Sequence, residues 1–135
     1  MIHLDTGFLI SALRRGSAED RRLREWLAQN QPIGISAVGW AEFLCGPVDV
    51  HAVELAARVL HEPVPLLAPD AGMAAELFNL AGRRRGSLND CMIAATALRA
   101  SASVATTNLT GLSPLRARGP PCHERGRPCI ALPRP

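Results

Sequence analysis

The chain contains no lysine and no tyrosine, and its aromatic side chains are two Trp and three Phe. Proteins that read single strands by stacking bases on aromatic rings need more such platforms, so that mode is weakly supported. No apolar stretch nears the ~18 residues that cross a bilayer. The N-terminus lacks a basic segment followed by an apolar one, which argues against secretion. The cysteines, Cys45, Cys91, Cys122 and Cys129, are scattered. They are expected to be reduced thiols in a cytoplasmic protein. Cys122, His123 and Cys129 fit no standard zinc spacing and lack a fourth ligand. His3, His51 and His61 are also scattered, and His3 falls on or near a strand rather than in the place of a base. No internal repeat is present.

All 15 basic residues are arginine, and the net charge is +3 with a pI near 9.0. The guanidinium fork pairs with phosphate oxygens bidentately, so this balance favours a phosphate-bearing partner. That is a mild hint, and solvated surface charge is the simpler explanation of the balance taken alone. At 135 residues the chain is sized for one packed core.

Short apolar runs alternate with helical periods. Ile2 to Leu4 reads as a buried strand, and Phe8, Leu9, Ala12 and Leu13 recur at helical spacing. Gly16 can end that helix, and Ser17 with Asp20 can cap the next, whose buried stripe is Leu23, Trp26 and Leu27. Ile33 to Ile35 reads as a second strand. Ser36 is an N-cap for VGWAEFLCG, which stops at Gly46-Pro47. Val50 to Leu60 is amphipathic, and Val64 to Leu67 reads as a short edge strand or extended link. Asp70 can cap AGMAAELFNLAGRRR. Leu88 to Ala100 is an Ala-rich helix opening at Asn89-Asp90, and Ser103 to Thr107 reads as the last strand. The alternation predicts an α/β fold with a mostly parallel central sheet flanked by helices. After Ser113 prolines and arginines crowd together without an apolar period. Residues 114–135 are therefore expected to be a loosely packed tail on a domain of residues 1–113.

Most of the 12 acids sit where surface charge belongs. Asp5 instead ends a buried strand, Glu42 lies inside VGWAEFL, and Asp90 opens a helix whose following face is nearly all apolar. Burying an isolated carboxylate costs several kcal/mol on an order-of-magnitude basis, so it normally has a partner or a metal. In an open parallel sheet, strand C-termini and the N-termini of following helices share one edge, where ligands bind. Three carboxylates meeting there form an oxygen-rich pocket suited to Mg²⁺ or Mn²⁺. With a basic surface, metal-dependent phosphodiester cleavage is the chemistry that joins these features. Taken singly, Asp5 is also a plausible helix cap and Asp90 a first-turn acid favoured by the helix dipole. Glu42 has no comparable structural role. Asp5-Thr6-Gly7 also spells the aspartic protease tripeptide, but that chemistry needs two Asp on a β-rich fold. No second D-[ST]-G occurs and a helical pattern follows, so Gly7 is given no weight.

These segments resemble the PIN-domain family. LDTGFLISAL is similar to its opening, ISAVGWAEFLCG to its second motif with a central Glu, and LNDCMIAATAL to its third. VATTNLTGL sits where the fourth motif falls. The resemblance covers roughly residues 2 to 112, and size and build are most similar to VapC-type toxins. It implies a three-layer PIN-like fold and a Mg²⁺-dependent endoribonuclease, held inactive by a cognate antitoxin and acting as a homodimer. It implies that Asp5, Glu42 and Asp90 are catalytic metal ligands, with Thr6 in support. The fourth motif normally runs T-x-N-x-x-D-F. Aligned on Asn108, its acid falls at Gly111 and its aromatic at Leu112. Thr107 and Asn108 offer only neutral oxygens, so a second metal is expected to bind more weakly. A degenerate domain that binds RNA or a protein without efficient cleavage is the alternative. Arg14 and Arg15 follow the first motif, and Arg83, Arg84 and Arg85 precede the third. They are expected to flank the acidic edge and contact the RNA backbone, unless they only offset helix C-terminal dipoles.

Overall fold

The computed structural model describes residues 1–83 and 87–107, and two further short strands at 122–124 and 127–128. The chain begins with strand β1 (Ile2–Leu4), helix α1 (Thr6–Ala12), helix α2 (Ala18–Ala28) and strand β2 (Ile33–Gly34). Helices α3 (Ala37–Cys45), α4 (Val50–Val59), α5 (Ala68–Leu80) and α6 (Ser87–Arg99) follow. The remaining strands are β3 (Ser103–Ala105), β4 (Cys122–Glu124) and β5 (Arg127–Pro128).

The sheet order is β2-β1-β3-β4-β5. β1 lies between β2 and β3, parallel to both, and β4 continues parallel to β3. Only β5 runs antiparallel among the described strands. The α/β expectation with a mostly parallel sheet is met. The pleat separates two apolar clusters. Leu4 pairs with Ala105, and both belong to the cluster that also holds Phe8, Leu9, Trp26, Ile35 and Phe43. Val104, one residue along, points to the other face and packs with Ala74, Leu77, Ala94 and Ala97. Successive strand residues face opposite sides, so α1 to α4 cover one face while α5 and α6 cover the other.

Local caps follow the sequence closely. The Ser36 hydroxyl accepts from the Gly39 amide at 3.0 Å and opens α3. The Ser17 hydroxyl accepts from the Asp20 amide at 2.9 Å, and the Asp20 carboxylate reaches back to the Gly16 amide at 2.8 Å. Several elements differ from expectation. β3 ends at Ala105, two residues short of the expected Thr107. β2 stops at Gly34, one residue short. Val64 forms an isolated parallel bridge with Ser36 instead of a strand, because Pro63 and Pro65 on either side supply no N–H to extend a ladder. α5 starts at Ala68, and Asp70 sits in its first turn, where its carboxylate accepts from the Leu67 amide at 2.8 Å. β4 and β5 fall within the Pro/Arg-rich segment. Their pairing rests on backbone hydrogen bonds, which an apolar-period reading does not register. Among the described residues no helix is long and apolar enough to cross a membrane.

α5 and α6 are joined by an ion pair that is buried on its Asp70 side. Asp70 is 2% exposed. The Arg99 Nε donates to its two oxygens at 2.7 and 3.0 Å, and Nη2 donates to the Pro65 carbonyl at 2.7 Å. Burial pushes the Asp70 carboxyl up, but the Arg99 and Leu67 hydrogen bonds and the Arg99 charge outweigh it and hold it below the usual range.

His3 occupies the opposite face of β1 from Leu4, fully buried, with no hydrogen bond to either ring nitrogen. A Cβ on its neighbour Gly34 would lie 3.1 Å from the imidazole Cδ2, so glycine leaves the ring its room. Burial lowers the His3 pKa to about 4, helped by the N-terminal ammonium and Arg99. The unfolded chain thus takes up this proton first. Stability from a neutral His3 is present above about pH 6.5 and is lost as pH falls toward about 4, a swing of about 3 kcal/mol. His3→Leu is expected to melt at or above the parent temperature at pH 7 and to flatten this acid slope, measured by thermal melts from pH 4 to 7.

Candidate functional site

The C-terminal end of β1 delivers Asp5 directly onto α1. Asp5 is the N-cap by backbone geometry, yet its carboxylate makes no capping hydrogen bond. It accepts instead from the Thr106 hydroxyl at 2.8 Å, just beyond β3. The helix-cap alternative for this side chain is thereby displaced. β1 and β3 are paired neighbours, so Asp5 and Thr106 emerge side by side at one edge. Thr6, the first residue of α1, donates to Glu42 Oε2 at 2.8 Å, and the same hydroxyl lies 3.2 Å from the Gly39 carbonyl. Glu42 stands on α3, the helix capped by Ser36 beyond β2. Its other oxygen, Oε1, accepts from the Asn89 amide at 2.6 Å. Asn89 and Asp90 share the first turn of α6. Three segments far apart in sequence therefore bring Asp5, Glu42 and Asp90 into one neighbourhood.

The electrostatics show how close that neighbourhood is. Burial, with the charges of Asp5 and Glu42 adding to it, raises the Asp90 pKa to about 6. Burial also raises Asp5, with Glu42 adding to the rise, while the Thr106 hydroxyl and the Thr6 amide oppose it. Among the described residues, the carboxylates thus feel one another with no opposing charge beside them. Repulsion of this kind is relieved by protons or by a cation. The donor set is all oxygen and anionic, the chemistry that suits hard divalent ions. Among the described residues, however, no three His, Cys, Asp or Glu side chains are drawn into a ready metal cage. Glu42 is held by Thr6 and Asn89, and Asp5 by Thr106.

The family profile of the PIN domain matches residues 2–110. The chain belongs to the PIN-domain family. Among solved structures, it is similar to VapBC2 from Rickettsia felis bound to a promoter DNA fragment. That match has 24% identity and a TM-score of 0.67, covering 84% of this chain and 92% of that one. FitAcB from Neisseria gonorrhoeae is similar at 22% identity and TM-score 0.63, covering 84% and 92%. A toxin–antitoxin complex from Klebsiella pneumoniae matches at 20% identity and TM-score 0.67, covering 84% and 91%. These likenesses establish the fold. A search of curated proteins finds no significant match.

Within this PIN domain, the neutral partners differ from those the motifs single out. Thr106, rather than Thr107, meets Asp5. Thr107 is exposed, and its Oγ1 would lie 3.0 Å from a Cβ on Gly7. Gly7, given no weight in sequence, therefore permits a close approach of this segment to α1. The T-x-N pattern read from Asn108 places its first threonine at Thr106, a signal available in the sequence. Asn89 was visible only as a helix opener. Arg14 and Arg15 are exposed after the C-terminal end of α1, the opposite end from Asp5, so the helix separates them by roughly 10 Å. Arg83 is exposed at φ 55°, with its Nε donating to Asn79 at 2.9 Å. Arg84, Arg85, Asn108 and Gly111 lie outside the described residues.

Proposed function

We propose that this PIN domain is a metal-dependent endoribonuclease, the toxin of a type II toxin–antitoxin pair. The observation that carries the proposal is the meeting of Asp5, Glu42 and Asp90 at one sheet edge, with burial and repulsion raising Asp5 and Asp90. These residues would hold Mg²⁺ or Mn²⁺, which when bound activates water and offsets charge on the phosphate under attack. Thr6 and Asn89 orient Glu42, and Thr106 orients Asp5. Arg14, Arg15, Arg83, Arg84 and Arg85 are the candidates for backbone contact with RNA. The nuclease unit centres on residues 1–113, and the segment 114–135 adds β4 and β5 to its sheet. The likeness to toxin–antitoxin complexes supports an antitoxin partner, and homodimerisation in the cytoplasm follows the same family analogy.

The test is cleavage of a long, structured RNA. Cleavage is expected with added Mg²⁺ or Mn²⁺ and is expected to fall to background in EDTA, then return on adding metal back. Cleavage that persists in EDTA would exclude the metal-dependent mechanism. Gly111, where the family pattern places a fourth acid, favours the second reading of a degenerate domain that binds RNA or a protein without efficient cleavage. Mn²⁺ titration separates the two, because the degenerate domain shows no affinity and no change on Asp5→Asn.

A further inference from the structure

Glu42 differs from its acidic neighbours in how it is held. Both of its oxygens accept from neutral donors on other helices: Oε2 from Thr6 on α1, and Oε1 from Asn89 on α6 at 2.6 Å. The Asn89 contact spans 47 positions of sequence, and Asn89 itself is exposed. It is therefore not a core-packing residue. A glutamate on a helix otherwise samples many rotamers, and a two-sided grip selects one.

The chemistry of the donor is informative. An arginine in this place would neutralise Glu42 and compete with any bound cation. An aspartate would add repulsion to an already crowded acidic group. A neutral amide orients the carboxylate and leaves its charge available. Asn89 also directly precedes Asp90, so one turn of α6 ties the position of Glu42 to that of Asp90.

We propose that Asn89 is a positioning residue that fixes the Glu42 carboxylate relative to Asp90 and thereby strengthens divalent-cation binding. This role rests on the metal-dependent reading given above. Groups that orient first ligands typically change metal affinity or activity by about 10- to 100-fold.

The test uses the metal-free full chain and Mn²⁺ alone, titrated by calorimetry, with melting curves in EDTA. Asn89→Ala is expected to melt within about 2 °C of the parent, because the site is exposed. It is expected to bind Mn²⁺ about tenfold more weakly. Asn89→Gln retains the amide donor and is expected to recover part of the affinity. In RNA cleavage, kcat is expected to fall for Asn89→Ala while KM for RNA holds. A parent that binds Mn²⁺, with Asn89→Ala binding equally or more tightly, overturns the positioning role and leaves the metal site standing. A parent that neither binds Mn²⁺ nor cuts RNA overturns the metal reading, and the positioning role with it. A large drop in melting temperature for Asn89→Ala would make Asn89 a structural residue and also overturn the proposal.

Discussion

Asp90→Asn is expected to cleave RNA roughly 100-fold more slowly than the parent, yet to melt a few degrees higher in metal-free buffer at pH 7. The two effects have one cause. Burial and the charges of Asp5 and Glu42 raise the Asp90 pKa to about 6 from 3.8. A raised carboxyl favours the protonated form in the folded state, so its contribution is most favourable at low pH. Stability from this group is lost as pH rises from about 4 to about 6, and it stays lost at pH 7. Asp90 is only half-buried, so solvent screening reduces the penalty to about 1 kcal/mol, worth about 3 °C in melting temperature. Asparagine keeps the shape and removes the charge, and with it the penalty. It also removes an anionic oxygen from the proposed cation site. Losing ~3 kcal/mol of transition-state stabilisation corresponds to roughly 100-fold in rate. Proton competition adds a further expectation: below about pH 6 the apparent Mn²⁺ affinity of the parent falls by about tenfold per pH unit. Melts in EDTA from pH 4 to 7, and initial cleavage rates with Mg²⁺, check both halves. If Asp90→Asn cuts at the parent rate, Asp90 is not part of the catalytic group. If it melts lower than the parent, the three carboxylates do not repel as the geometry implies.

Arg99→Ala is expected to lower the melting temperature by about 10 °C while leaving cleavage at low temperature near the parent rate. Asp70 is 2% exposed and depends on Arg99 for two hydrogen bonds and a compensating charge. Removing Arg99 leaves a buried carboxylate whose remaining partner among the described residues is the Leu67 amide. Breaking such a pair costs roughly 3–5 kcal/mol, and the partial exposure of Arg99, at 32%, places this case nearer 2–3 kcal/mol. Adding Asp70→Asn to Arg99→Ala is expected to recover part of the loss, because no buried charge remains. The pH dependence has the opposite sign to that of Asp90. The Asp70 carboxyl is held below its usual range, so its stability is present above about pH 4 and is lost as pH falls further. Arg99→Ala is expected to flatten that limb. Cleavage survives because Arg99 lies roughly 13 Å along α6 from Asp90. Thermal melts by circular dichroism and cleavage at 10 °C separate the structural role from a catalytic one.

The main frame is legible in the residues. Ile2 to Leu4 followed by helical spacing yields β1 and α1, with Asp5 between them. Ser36 marks the start of α3, and the apolar period after Asp90 marks α6. These signals are local, because strands alternate every second residue and helices every three to four. Two of the exceptions are also local in origin, whereas β4 and β5 depend on pairing with β3 across the sheet. Two prolines reduce the expected strand at Val64 to a single bridge, and Pro69 lets α5 begin before Asp70 rather than after it.

By itself the sequence determined the helices and the strands β1 to β3 in outline, and that three acids stand in apolar contexts. It also carried the order of the PIN motifs. Only the tertiary structure decided how those acids are held. The Thr106–Asp5 and Asn89–Glu42 hydrogen bonds join residues 101 and 47 positions apart, and no periodicity encodes such pairings. Gly7 likewise gains its meaning only when Thr107 arrives beside it. Backbone propensity and apolar spacing act between near neighbours along the chain, whereas donor and acceptor meet only after the sheet has set its strand order and register.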